Sequence, residues 1–374
     1  MQRFIQKQII SSLSGGKVVG LFGARRTGKT FLMNSIKNSL SKNTKVLSVQ
    51  GDDYEAAEIL SNSRLSVLRN FTEGYDYLFV DEAQEITNIG KSLKLLVDSN
   101  LNLSIFITGS SAYALEKSIA EPLIGRMRYF NLYPFSQMEL GEDFLTAKKN
   151  LETKLIFGLY PQVVNEHNPK EKRHLLESIK KGNLLKDVLS LEGNKDASFI
   201  LALLRLIAFQ IGNDVSYNEL ATQLGVNART VVRYLNLLEK SFVLFSLPGF
   251  SRNLRKEYSK TPRYFFWDNG IRNSIIANFN TVDKRDDVGK LWENFCISER
   301  LKKANLLDED KKHYFWRTYD KKEIDLIEEG NGIINAYEFK WKASKSKEPK
   351  EFLTTYANSG FEVINNESFY SFLK

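Results

Sequence analysis

The run Gly23-Ala24-Arg25-Arg26-Thr27-Gly28-Lys29-Thr30 sets two glycines, a lysine and a threonine at the spacing GxxxxGKT. That spacing suits a phosphate. Backbone N–H groups of a glycine-bent loop can wrap phosphate oxygens, and a helix starting behind the loop adds its positive dipole end. All eight residues are therefore candidate ligand-binding positions. Lys29 would reach the outer phosphates, and Thr30 would place its hydroxyl on Mg²⁺. A second part of such a machine lies in Tyr77-Leu78-Phe79-Val80-Asp81-Glu82, an apolar run closed by two acids. Asp81 can hold Mg²⁺ through water, and Glu82 can polarise an attacking water. Acidic residues also favour the first turn of a helix, which is the alternative for this pair. Thr108 and Ser110 close a third apolar run. They would sense a terminal phosphate or orient the water, or simply cap a turn. Arg126 is a candidate transition-state arginine, in its own site or a neighbour's. A lone arginine carries no geometry, so a surface role is equally open.

A second constellation sits near the carboxyl end. Glu323-Ile324-Asp325-Leu326-Ile327 and Ile333 to Trp341 flank Asn331-Gly332, the preferred pair for a two-residue type I′ turn. With those two as the loop, Gly330 faces Ile333, Asp325 faces Glu338 and Glu323 faces Lys340. Alternation then puts Ile324, Leu326, Tyr337 and Phe339 on the opposite, core-facing side. Two carboxylates directly across a ladder repel. A divalent cation would turn them into a site, with Lys340 stabilising a phosphate oxyanion. Glu293, in the helical stretch GKLWENFCISERLKK, can supply a third acid. The plain alternative is a charged hairpin in which Glu323 pairs with Lys340.

Between the two lies DVSYNELATQLGVNARTVVRYLNLLEK. Its spacing predicts one helix from Ser216 or Tyr217 to Leu224, a turn at Gly225-Val226-Asn227, and a second helix from Ala228 to Lys240. Val231, Leu235 and Leu238 share one face of the second helix, and Arg229 and Arg233 another. Two helices about a three-residue turn form the helix-turn-helix pattern. SFVLFSL and Tyr264-Phe265-Phe266-Trp267 would form a wing. Arg252, Arg255, Lys256, Lys260 and Arg263 would make a basic loop reaching phosphates. Such a unit can equally be an interaction module with solvated arginines.

The elements that must position these residues follow from patterning. Apolar strand-like runs alternate with helical ones from Lys17 to about Leu140, implying a doubly wound parallel α/β sheet with its ligand at the carboxyl ends of the strands. From about Leu151 to Gln210 the pattern is helical. The chain has 374 residues, 42% hydrophobic and 26% charged, enough for two or three globular domains. It has no apolar run of membrane-spanning length and no secretory signal pattern. One cysteine, Cys296, excludes an internal disulfide framework, and three scattered histidines offer no metal-ligand spacing. The expectation is a cytoplasmic protein with no membrane partner. A net charge of +8 is compatible with nucleic acid.

The chain resembles a widespread family of prokaryotic AAA-type ATPases. These carry a winged helix after the ATPase domain, and then a domain of unknown function that looks like a PD-(D/E)xK nuclease. The resemblance spans nearly the whole chain. It rests on GARRTGKT, YLFVDEAQEI, FITGSSA and LIGR, then on ELATQLGVNARTVVRYLNLLEK, RYFFWDNG, GKLWENF and EIDLI followed by YEFKW. It implies ATP and Mg²⁺ at Lys29, Thr30, Asp81 and Glu82. It also implies a nuclease-like core at Glu293, Asp325, Glu338 and Lys340, with Mg²⁺ or Mn²⁺ as its metal. Ile324 stands where the nuclease motif often has proline. The expected division is 1–145 for the ATPase domain, 146–270 for the helical segment and winged helix, and 271–374 for an α/β nuclease-like domain. Three readings remain open: an ATPase coupled to a DNA-binding module, a metal-dependent DNA nuclease regulated by ATP, and an ATP-switched interaction protein with an inactive nuclease fold. A homo-oligomer would let Arg126 serve a neighbouring site.

Overall fold

The computed structural model describes residues 3–99, 102–110, 122–184, 197–251, 261–318, 322–343, 348–356 and 358–374. Two compact units emerge. One is built mainly from Met1–Tyr133, and the other mainly from Pro134–Leu185, Asn194–Glu239 and Val243–Lys374.

In the first unit, β1 (Val18–Phe22), β2 (Val46–Gln50), β3 (Tyr77–Asp81), β4 (Ser104–Gly109) and β5 (Met127–Asn131) form one sheet in the order β2-β3-β4-β1-β5. Every pairing is parallel. β1 and β4 are buried along their whole length, and β3 is buried from Leu78 onward. That explains their unbroken apolar runs, since helices cover a parallel sheet on both faces. Helices Lys29–Ser39 and Ile89–Asp98 supply much of this cover through Leu32, Met33 and Ile36 and through Leu93, Leu96 and Val97. The edge strands β2 and β5 are partly exposed. Leu21 pairs with Thr108 and Gln50 with Asp81, so β1, β3 and β4 all finish at one edge.

The second unit opens with helices, including Leu151–Phe157, Pro169–Ile179 and Ala197–Phe209. Helices Tyr217–Leu224 and Ala228–Lys240 follow, about the turn at Gly225. Ser216 caps the first by accepting from the Glu219 N–H at 3.3 Å, and Asn227 Oδ1 caps the second by accepting from the Thr230 N–H at 2.8 Å. Strands β6 (Leu244–Leu247) and β7 (Arg263–Phe266) pair antiparallel, as expected for a wing. They do not project. β7 is buried throughout, and Phe245 packs against Phe265 and Trp267. Phe250, just beyond β6, bonds to Phe315 and joins the core of the next sheet.

That sheet has the order β11-β10-β9-β8, from β8 (Lys312–Arg317), β9 (Glu323–Gly330), β10 (Ile333–Phe339) and β11 (Ser359–Ile364). Asn331 and Gly332 both have positive φ, 52° and 77°, and Ile333 pairs with Gly330, as a type I′ turn requires. Both faces are covered. Ile327, Ile334 and Ala336 pack with Phe352, while Tyr337 and Phe339 pack on Phe372. Helix Val288–Leu306 lies against β7 and β10 and is buried along most of its length. Glu328 on β9 is 1% exposed. It takes the fork of Arg300, from Nε at 2.6 Å and Nη2 at 2.8 Å. Burial pushes its carboxyl pKa up, but His313 and Arg300 outweigh this and pull it from the usual 4.5 down to about 2.

A depressed carboxyl pKa stabilises the fold above its unfolded value, and that stability is lost as pH falls toward the folded value. The shift corresponds to roughly 3 kcal/mol, lost between about pH 5 and pH 2. Urea midpoints measured across that range should fall steeply in the wild type. Glu328→Gln should start lower at pH 7 and show a shallower acid limb.

Candidate active site

The glycine loop leaves the carboxyl end of β1. Gly28 has φ +98°, a left-handed conformation that glycine alone adopts freely, and it caps helix Lys29–Ser39. A Cβ at Gly23 would lie 2.0 Å from the Leu132 carbonyl oxygen, so only glycine fits there. Thr27 Oγ1 donates to the Ala24 carbonyl at 2.8 Å and closes the loop on itself. Lys29 is buried, and its Nζ donates to the Gly23 and Ala24 carbonyls at 3.0 and 3.2 Å. Arg25 makes a loose ion pair with Glu85 at 3.9 Å, and Arg26 takes a positive φ of 65°.

Asp81 ties the loop to the strand ends. Thr30 Oγ1 donates to Asp81 Oδ2 at 2.6 Å, and Thr108 Oγ1 donates to Asp81 Oδ1. Thr108 Oγ1 in turn accepts from the Glu82 N–H at 3.2 Å. Glu82 has φ 50° and ψ 48°, a strained conformation for a side chain with a Cβ, directly after the strand. Gln84 Nε2 donates to Glu82 Oε2 and reaches Ser110 Oγ at 3.3 Å. The sequence reading missed Gln84, although it stands two residues after Glu82 in the same DEAQ run. A hydroxyl and a carboxylate, meeting beneath a loop whose glycine bend leaves open space, are hard oxygen donors of the kind Mg²⁺ takes. The residues present fit a magnesium-bound triphosphate.

Arg126 is elsewhere. It immediately precedes Met127, which pairs with Val18 at the start of β1, so it stands at the amino edge of the sheet. The loop begins at the other end of β1, roughly 13 Å along the strand at 3.3 Å per residue. Arg126 is instead held by Asp98, with Nε to Oδ1 at 2.6 Å. The structure does not bring it to the loop of its own chain, and the expectation of action there is corrected.

In the second unit, Arg229 and Arg233 are both exposed on helix Ala228–Lys240. Arg252, Arg255, Lys256 and Lys260 lie outside the described residues. Arg263, read from sequence as part of that basic loop, is buried. Its Nε meets Asp214 at 3.1 Å and its Nη2 meets Glu323 at 2.7 Å. The alternative in which Glu323 pairs with Lys340 is not the one found: Glu323 meets Arg263, and Lys340 meets Glu338. Nearby, the β8–β9 register slips, so that Tyr314 pairs with Ile327 but Trp316 with Ile324. A bulge of this kind re-aims side chains. Asp325 now uses Oδ2 to accept from the Phe339 N–H at 2.8 Å, and Lys340 Nζ donates to Glu338 at 2.6 Å.

Glu293 and Asp325 are 5% and 9% exposed. Glu293 Oε2 takes Lys290 Nζ at 3.0 Å, while its Oε1 has no hydrogen-bond partner among the described residues. Burial pushes the Glu293 carboxyl up, with Lys290 and Arg263 opposing. Burial, then Glu293 and Glu338, push Asp325 well up. Among the described residues no group of three or more His, Cys, Asp or Glu is arranged to hold a metal. Nor is any helix there long and apolar enough to cross a membrane.

Three segments match known family models. Residues 15–141 match an AAA domain, residues 148–282 a domain of unknown function (DUF8612), and residues 288–372 another (DUF4143). The chain is similar to an uncharacterized protein of Haemophilus influenzae, 27% identical over 82% of this chain and 78% of the other. An uncharacterized protein of Methanocaldococcus jannaschii is 23% identical over 97% of this chain and 87% of its own. Among solved structures, a Walker-type ATPase of Pyrococcus abyssi is similar, at 15% identity and TM-score 0.48, covering 72% of this chain and 93% of its own. The amino-terminal unit is thus a P-loop α/β domain of the AAA type, carried by its sheet order, its loop and the AAA domain match.

Proposed function

We propose that the amino-terminal unit binds ATP with Mg²⁺ and hydrolyses it, and that its nucleotide state governs a carboxyl-terminal unit that handles DNA. The observation that carries the ATPase reading is the Thr30–Asp81–Thr108 linkage, which joins the phosphate loop to two strand ends through one carboxylate. The loop N–H groups bind the phosphates, and Lys29 exchanges its loop carbonyls for phosphate oxygens. Thr30 and Asp81 would hold Mg²⁺, which when bound neutralises charge on the phosphates. Glu82 orients the attacking water and accepts its proton. Thr108 fixes the Asp81 carboxylate and the Glu82 backbone together.

Lys29→Ala should abolish nucleotide binding. Glu82→Gln should keep it and lose hydrolysis by at least about a hundredfold, the scale of a general base. Calorimetry and phosphate release measure the two. Wild-type turnover by Glu82→Gln would overturn the assignment.

The division 1–145, 146–270 and 271–374 remains our proposed functional partition, with the middle part as a winged-helix-like reader. Arg229 and Arg233, exposed four residues apart on the second helix of its helical pair, support DNA as the partner. With the ribbon buried, contact falls to that helix. Glu293 and Asp325 favour a second reading, metal-dependent cleavage under ATP control. Two buried acids, of which Glu293 helps to raise the pKa of Asp325, would be relieved by a divalent cation, with Lys340 beside Asp325. Arg126 would act only on a neighbouring subunit of an oligomer.

Titration of a labelled DNA duplex at several salt concentrations, with Mn²⁺ present, tests this half. Replacing Arg229 and Arg233 together with alanine should flatten the log–log salt slope by about two units. Asp325→Asn should remove any cleavage without changing that slope. Salt-independent binding would exclude the phosphate contacts.

A further inference from the structure

The phosphate loop is braced from behind by groups outside the glycine pattern. Arg3, just before helix Ile5–Ser12, is 5% exposed. Its Nη2 donates to the Thr27 carbonyl at 3.1 Å, and the same atom reaches the Tyr133 carbonyl. Thr27 sits in the middle of the loop. Tyr133 follows the last residue of β5, Asn131, by two positions. The residue between them, Leu132, donates its N–H to the Phe22 carbonyl at 2.6 Å and crowds Gly23 with its own carbonyl. Gln6 Oε1 accepts from Ser35 Oγ at 3.3 Å and ties the amino-terminal helix to the helix behind the loop.

The consequence lies in peptide geometry. A trans peptide points its carbonyl and its following N–H to opposite sides. Holding the Thr27 carbonyl on a buried guanidinium therefore turns the Gly28 N–H the other way, away from Arg3. In a loop whose amides cradle phosphate, that is the direction of the ligand. The same guanidinium places a fixed positive charge behind an anion site.

We propose that Arg3 is a positioning residue for nucleotide binding. Its guanidinium fixes the Thr27 carbonyl against the Tyr133 carbonyl and so presets the loop for phosphate. The proposal rests on the nucleotide reading of the loop. Arg3 touches no phosphate itself. It acts through the Thr27–Gly28 peptide, and it makes the end of β5 part of the loop's support.

The test is calorimetric titration of the full chain with Mg²⁺·ADP, alongside thermal unfolding and amide hydrogen exchange. Arg3→Met should weaken binding at least tenfold and speed exchange across residues 24–30, with exchange in β3 and β4 unchanged. Arg3→Lys should fall between, because it keeps the charge but loses the planar amino group, Nη2, that reaches both carbonyls. A folded Arg3→Met protein with wild-type affinity and wild-type loop exchange would overturn the proposal while leaving the nucleotide site intact. If Arg3→Met does not fold, wild-type affinity in Arg3→Lys would overturn it equally. A wild-type protein that binds no ADP would sink the nucleotide reading and this one with it.

Discussion

One carboxylate, Asp81, holds the amino-terminal unit's chemistry in register. Its two oxygens accept from hydroxyls on different elements, Thr30 at the start of the loop helix and Thr108 at the end of β4. Asp81 is 2% exposed, and burial of an ionised carboxylate is costly unless such bonds satisfy it. The parallel sheet exists, for this purpose, to deliver three strand ends to one edge. Two bonds to one carboxylate then fix the loop helix against them. The Thr30 hydroxyl oxygen keeps a lone pair that a cation could take while its proton stays donated to Asp81.

Strain and support are distributed around that bond. Glu82 takes a left-handed backbone conformation immediately after Asp81, and Gly51 approaches it so closely that a Cβ there would lie 2.2 Å from the Glu82 carbonyl oxygen. The Gly51 N–H accordingly donates to the Asp81 carbonyl at 2.7 Å. Gln84 holds the Glu82 carboxylate toward Ser110. The Glu82 carboxylate is thus held by Gln84 and its backbone by Thr108, and Thr108 links it directly to Asp81.

Much of this was legible because it is local. The spacing of Gly23, Gly28, Lys29 and Thr30, and the apolar runs ending at Asp81 and Thr108, follow from short-range rules. So does the Asn331-Gly332 turn, whose register came out as the turn chemistry demands. What sequence could not show was tertiary. Arg126 had no fixed place until β5 paired with β1 at Val18. Arg263 looked like part of a basic loop, but its partners Asp214 and Glu323 are distant in the chain. The slip between β8 and β9 belongs to a neighbour strand and leaves no mark on the hairpin's own residues. Arg3 reaches the backbone carbonyls of Thr27 and Tyr133, and carbonyls carry no sequence signal.

The central claim is that Thr30 and Asp81 act as one unit in holding magnesium nucleotide. A double-mutant cycle measures this most directly, through the Mg²⁺-dependent affinity for ATP of wild type, Thr30→Ala, Asp81→Asn and the double variant. The account predicts that either single change removes most of the magnesium-dependent gain and that the second adds little. Fully additive losses, or an affinity indifferent to magnesium in the wild type, would contradict it.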